Sequence, residues 1–159
     1  MTTSKKKQPL AHGKIVVRNR KAHFEYEIVE RHEAGLVLFG SEVKSLRAGK
    51  MDIADAYVDN AGAELWLVGA RIAEYSHANR YNHDPLRRRK LLMNRAEIIR
   101  ITVKIREKGL TVIPLTVYFN ERGKAKLEIA LVRGKRQYDK REDLRRRDDE
   151  RMMERHRDG

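Results

Sequence analysis

The sequence predicts a mainly β fold: an antiparallel sheet closed or nearly closed into a barrel, with two or three flanking helices and a basic C-terminal tail. Three observations lead there. Apolar residues recur in short alternating runs punctuated by Gly, Asn and Asp, the pattern of brief half-buried strands joined by turns. Only two internal segments carry both a helix start and a helix stop. A small domain with many short strands must also protect its sheet edges, and closure removes them.

Residues 1–13, with Lys5-Lys6-Lys7 and Pro9, show no apolar period and read as a flexible basic leader. The first strand begins at Ile15-Val16-Val17 and breaks at Asn19-Arg20-Lys21. Phe24, Tyr26 and Ile28 then alternate with Glu25 and Glu27 as in a half-buried strand. Leu36-Val37-Leu38-Phe39, bounded by Gly35 and Gly40, reads as a buried strand that hands over to a helix capped by Ser41 and stopped at Gly49. On that helix Val43 and Leu46 face a core, and Lys44, Arg47 and Lys50 line the other side.

Residues 55–58 and 64–72 form a predicted hairpin around Asp59-Asn60-Ala61-Gly62. Leu65 and Leu67 alternate with Trp66 and Val68, so this strand is expected to be covered on both faces. A polar loop from His77 to Pro85 leads into the cationic run Arg87-Arg88-Arg89-Lys90. After Asn94 the residues Ile99, Ile101, Val103 and Ile105 alternate like a strand. The start at Asn94 with Glu97, the stop at Gly109 and the intervening length favour a helix with a stripe at Ile98, Ile101, Thr102 and Ile105. A second hairpin spans 111–120 and 124–132, with Pro114 marking an edge or a bulge. The predicted organisation is therefore a leader over 1–13, a β-barrel domain over 14–134 and a tail over 135–159.

In the tail Tyr138, Leu144, Met152 and Met153 are too few to build a core, so it is expected to be disordered alone. Glu142 with Arg146 and Asp143 with Arg147 stand four apart and favour a helix once another surface supplies the rest.

The formal net charge of +13 and a pI near 10.1 call for a polyanionic partner, because lysine and arginine gain most by displacing counterions from phosphates. Nucleic acid is the first candidate; no long apolar span, signal peptide or greasy basic helix argues for a membrane. The absence of cysteine excludes disulfides, thiolate metal sites and thiol nucleophiles, and suits a soluble, cytoplasmic protein. His77, His83 and Asp84 match no zinc spacing. Asp52, Asp55 and Asp59 could hold magnesium in a nuclease, or serve as ordinary turn and strand-edge acids. No P-loop, nucleophile elbow or dinucleotide fingerprint occurs, so no enzyme activity and no cofactor are expected.

Binding residues are easier to nominate. Asn19, beside Arg20 and Lys21 at a strand end, is either a turn asparagine or an amide that bonds a splayed base while the cations hold phosphates.

The segment "EAGLVLFGSEVKSLRAGK" closely resembles the most recognisable stretch of the small protein B (SmpB) family, the SsrA-binding partners of transfer-messenger RNA in bacteria. "NRKAHFEYEI", "DPLRRRKLLMNRAEI" and "LVRGKRQYDKRED" resemble further blocks of that family in the same order. The resemblance implies an oligonucleotide-binding-type barrel that grips the tRNA-like part of transfer-messenger RNA as a monomer and delivers it to stalled ribosomes. It implies RNA-facing roles for Asn19, Arg20, Lys21, Glu33, Lys44, Arg47, Lys90, Leu92 and Asn94. A carboxylate such as Glu33 would confer selectivity, since phosphates repel it unless a base or ribose donates to it. Leu92 and Asn94 also have plainer readings, as a core residue and a helix cap.

The tail residues Gly134, Lys135, Arg136, Tyr138, Asp139, Lys140, Arg141, Met152 and Met153 resemble the family segment that enters the small-subunit decoding region and mRNA channel, becoming helical on the ribosome. Many family members carry histidine where Tyr138 stands; the planar ring for stacking is kept and the titratable nitrogen is lost. A ribosome-associated RNA-binding protein that works without transfer-messenger RNA is the alternative reading, and a magnesium nuclease the third.

Overall fold

The computed structural model describes residues 13–76, 82–135 and 144–153. Strands β1 (Lys14–Arg18), β2 (Tyr26–Leu36), β4 (Tyr57–Ala61), β5 (Glu64–Val68), β7 (Arg89–Leu92), β8 (Thr111–Phe119) and β9 (Ala125–Gly134) form one antiparallel sheet in the order β1-β8-β9-β2-β7-β5-β4. The short strands β3 (Met51–Asp52) and β6 (Arg71–Ile72) pair separately. Helices are α1 (Ala22–Glu25), α2 (Gly40–Arg47), α3 (Arg95–Lys108) and α4 over 144–153.

The ladder does not close, against the predicted barrel: β1 and β4 are its two hydrogen-bonded ends. The sheet curls instead until β4 lies alongside β8 without pairing to it. Register shifts between Ile15 and Val17, between Ile28 and Glu30, and between Pro114 and Thr116 are the bulges that bend it. Pro114 therefore marks a bulge in an internal strand, with β8 held between β1 and β9.

The curled sheet wraps a core that includes Leu46, Ile53, Leu65, Leu67, Ile72, Leu91, Leu127, Ile129 and Leu131. Each such side chain taken fully from water contributes about 1.5–3 kcal/mol before entropy is counted. Helix α3 lays Ile98 and Ile101 against this core, ties Lys104 Nζ to Glu30 Oε2 at 2.6 Å and accepts Asn60 Nδ2 on Thr102 Oγ1 at 2.9 Å. It ends, as its stop residue predicts, with Gly109 in the left-handed region at φ 61°. Asn94 is its N-cap, but the side-chain capping bond suggested by Glu97 is not made.

A second cluster lies on the outside of the sheet, where α1 lays Ala22 over Ile113, Leu115, Ala130 and Val132. This one-turn helix replaces the strand predicted from the Phe24, Tyr26, Ile28 alternation; β2 starts only at Tyr26. At its other end β2 stops at Leu36, leaving Val37 and Phe39 exposed where a buried strand is predicted. The β4–β5 hairpin turns at Gly62 and Ala63, later than predicted, keeping Asp59, Asn60 and Ala61 in the ladder.

Helix α2 is capped differently from the prediction. Phe39 is the N-cap, and Glu42 reaches back to accept its N–H at 2.8 Å. The Ser41 hydroxyl instead donates to His83 Nδ1 at 2.8 Å, because His83 Nε2 must carry the proton it donates to Ile72 O at 2.9 Å. Gly49 does stop the helix: its N–H bonds Leu46 O and that of Lys50 bonds Ser45 O, the paired bonds of a Schellman end.

Candidate nucleic-acid interface

Strand β7 is where the cationic run acquires direction. Alternation turns Arg89 inward and Arg88 and Lys90 outward. Arg89 is fully buried and donates from Nε to Glu42 Oε2 at 2.6 Å and to the carbonyls of Ala70 and Pro85 at 2.9 and 3.1 Å. Arg87 joins the same carboxylate at 2.5 Å. Burial alone would raise the Glu42 carboxyl; the bonds from Arg87, the Phe39 amide and Arg89 outweigh it and hold Glu42 below its ordinary range. Half of the cationic run thus clamps α2 to the sheet.

The outward half belongs to a continuous strip. Residues paired across antiparallel strands share a face, as do residues two apart. Glu33 and Gly35 on β2 therefore stand on the same outer surface as Leu92 and Lys90 on β7, Trp66 on β5 and Asp59 on β4. Leu92 is exposed at 55%, which sets aside its core reading. Gly35 lets it lie close: a β-carbon there would meet Leu92 Cβ at 3.3 Å. Lys90 pairs with Glu64 at 3.1 Å and Arg88 with Asp59 at 2.8 Å, both exposed contacts.

Glu33 stands opposite Glu128 on β9, a repulsive placement that two partners relieve. Arg31 Nη1 lies 3.3 Å from Glu128 Oε1, and the Tyr118 hydroxyl donates to Glu33 Oε2. Burial first, then that bond, pushes the Tyr118 hydroxyl up, so it stays protonated and donates. Beside this pair Asn19, Arg20, His23, Arg31, Thr116 and Glu128 line a cavity of about 370 Å³. Asn19 Nδ2 donates to Pro114 O at 3.0 Å, whereas its buried Oδ1 and the buried Arg31 Nε have no hydrogen-bond partner among the described residues. The cavity is thus lined by cations, an amide and a carboxylate, side chains able to hydrogen-bond a nucleotide.

Other nominated residues fall elsewhere. Lys21 is the exposed N-cap of α1, and Asn94 is the exposed N-cap of α3 two residues beyond Leu92. Lys44 and Arg47 are exposed on α2, with Lys44 Nζ 5.3 Å from the centre of the Tyr75 ring. Gly134 closes β9 opposite Tyr26, and Lys135 fastens that end by donating its N–H to Glu25 O at 3.1 Å and its Nζ to His23 O at 2.7 Å. Met152 and Met153 are exposed on α4, whose Arg147 lies 5.9 Å from the Phe24 ring centre. Arg136, Tyr138, Asp139, Lys140 and Arg141 lie outside the described residues, as does His77.

Among the described residues no three His, Asp or Glu side chains converge on a metal-sized site. Asp52 accepts the Ala54 N–H, Asp59 holds Arg88, and both ring nitrogens of His83 are engaged. Sequence reasoning missed Trp66, read as covered on both sides. Its outward, partly exposed position follows from the complete burial of Leu65 and Leu67 under a period of two.

The sequence matches the family model described as "SmpB protein" over residues 16–158. The chain belongs to the SmpB family. Curated SmpB-type relatives include an SsrA-binding protein of Agrobacterium fabrum, 56% identical over 86% of this chain and 85% of its own length. That of Allorhizobium ampelinum is 54% identical over 86% of each. A solved structure described as "tmRNA-SmpB: a journey to the center of the bacterial ribosome" contains a chain that superposes with a TM-score of 0.65 at 47% identity, covering 82% of this chain and 94% of that one.

Proposed function

We propose that this chain is a non-enzymatic cytoplasmic RNA-binding protein that binds the tRNA-like part of transfer-messenger RNA and brings it to stalled ribosomes for peptide tagging. The observation that carries this reading is the outer strip that gathers Glu33, Leu92 and Lys90 on one sheet face, beside a cavity lined by Asn19, Arg20 and Arg31. The names of the relatives, SsrA-binding proteins, support the RNA partner, and the tmRNA-SmpB structure supports the ribosome. The curled sheet then works as an oligonucleotide-binding-type barrel, and one protein molecule serves one RNA. The tail beyond Lys135 enters the mRNA channel and reads whether the decoding region is empty.

Purifying the protein from its host and sequencing the RNA that accompanies it tests this directly. One dominant tRNA-like species is expected; ribosomal fragments in its place would favour a ribosome-bound protein that works without transfer-messenger RNA.

Two variants probe the strip. Lys90→Ala is expected to lower the slope of log affinity against log salt by roughly 0.7 to 0.9, the signature of one lost phosphate contact; an unchanged slope removes Lys90 from the interface. Glu33→Ala is expected to narrow the preference for transfer-messenger RNA over unrelated RNA while leaving the slope nearly intact. Tyr118→Phe, which removes only the buried donor to Glu33, controls for loss of that bond. Equal weakening on both RNAs would contradict a selective role.

A further inference from the structure

We infer that Trp66 is a nucleobase-stacking position, with Arg88 the cation that takes the adjoining phosphate. This rests on the RNA-binding reading and extends its strip to a residue not otherwise assigned to it.

An indole turned outward from a sheet has to be explained. On β5 the neighbours Leu65 and Leu67 are completely buried, so the alternation of the strand fixes the ring on the outer surface. Register sets Lys90 beside it on one side and Asp59 on the other, and Lys90 leads two residues on to Leu92. A planar ring, a lysine and an exposed leucine thus lie in sequence along one face, continuous with Glu33. That is the composition of a single-strand track: flat apolar surfaces for bases, separated by cations for phosphates.

Arg88 completes it. Its guanidinium carbon sits 5.5 Å from the centre of the Trp66 ring, while Nη2 donates to Asp59 Oδ2 at 2.8 Å. Both members of that ion pair are about half exposed, at 52% and 45%, so solvent screens it and a phosphate can compete for the guanidinium. The Lys90–Glu64 pair is equally open, at 41% and 46%. The carboxylates hold the cations at the strip until RNA arrives. A base then replaces Arg88 over the indole, and Arg88 turns to the phosphate.

The alternative is that Trp66 and Arg88 are only a surface cation–π pair. The two readings separate cleanly because Trp66 is the sole tryptophan of the chain, so its emission reports this position alone. The full-length protein is titrated with transcribed transfer-messenger RNA, and emission is compared with a gel shift. Saturable quenching with the same midpoint as the shift is expected. Trp66→Ala is expected to bind roughly 5- to 100-fold more weakly, the loss of one base stack, and Trp66→Phe to bind within about 3-fold of the parent. Arg88→Gln is expected to lower the salt slope by roughly 0.7 to 0.9 and to make the unliganded indole more accessible to iodide. Thermal unfolding checks each variant; should Trp66→Ala be unfolded, the parent's emission and Trp66→Phe decide.

Complex formation by gel shift with no change in emission overturns the inference, as does undiminished binding by folded Trp66→Ala. In those cases loss of affinity in Lys90→Ala leaves the RNA-binding reading standing. If the parent binds transfer-messenger RNA no better than an unrelated duplex, that reading and the stacking role fall together.

Discussion

Glu42→Gln is expected to lower folding stability by about 3–5 kcal/mol, enough to unfold much of a domain of this size at its growth temperature. Glu42 is completely buried, and so is Arg89, whose charge it balances. Burial presses the Arg89 guanidinium down while the Glu42 contact holds it charged, so removing the carboxylate leaves a cation in the core and not a neutral group. The same substitution weakens the reach-back to the Phe39 N–H at the start of α2 and frees Arg87. Equilibrium urea unfolding measures the loss. The double variant Glu42→Leu, Arg89→Met removes both charges and is expected to recover more than half of it, because an apolar pair of similar volume needs no partner. A Gln variant within about 1 kcal/mol of the parent would show that the clamp does not hold the fold.

The pH dependence has the same origin. The folded protein holds the Glu42 carboxyl below its ordinary value, so its stabilisation is fully present above the unfolded-state value of about 4.3 and is lost as pH falls through the depressed folded one. The parent should therefore lose stability in acid more steeply than the double variant.

How far the sequence alone reaches is plainest at Arg87-Arg88-Arg89-Lys90. Four consecutive cations look like one surface, but a strand sends alternate residues to opposite faces, and here one face is the core. The strand went unread because its inward residue is an arginine. Only the distant Glu42, brought over by α2, makes that burial tolerable, and no local pattern announces a partner 47 positions away. Phe24 failed for a related reason: its alternation with Tyr26 fits a strand, while the apolar patch of Ile113, Leu115, Ala130 and Val132 favours a helical turn that delivers Ala22. Where local signals were redundant the prediction held. Gly49 and Gly109 stop their helices, and the β8–β9 hairpin turns at 120–124. Among the nominated residues, Glu33, Lys90 and Leu92 share one face, whereas Lys44 and Arg47 belong to a separate element. Trp66 escaped because a strand with aromatic and aliphatic residues on alternate positions looks covered on both sides until the partial exposure of its outer face is seen.

Shortening the chain after Lys135 is expected to leave the fold and most affinity for free transfer-messenger RNA intact while abolishing peptide tagging on ribosomes that carry truncated mRNA. Lys135 is the rational end point. Its two bonds to His23 and Glu25 secure the end of β9, and a chain ending at Gly134 would lose them and confuse instability with loss of function. Among the described residues that are removed, none belongs to either apolar cluster: α4 is exposed along its whole length over 144–153. A cationic segment of that kind gains its docking energy where phosphates surround it, and an mRNA channel has room for it only when mRNA is absent. Within the full chain Tyr138→Ala is expected to slow tagging, with Tyr138→Phe and Tyr138→His retaining most of it. Stacking on a base, about 1–3 kcal/mol, needs the flat ring and not the hydroxyl. Tagging kinetics with protein already shown to bind the RNA make the comparison. If Phe fails as badly as Ala the hydroxyl is the working group, and if the shortened chain still tags, the tail does not sense the empty channel.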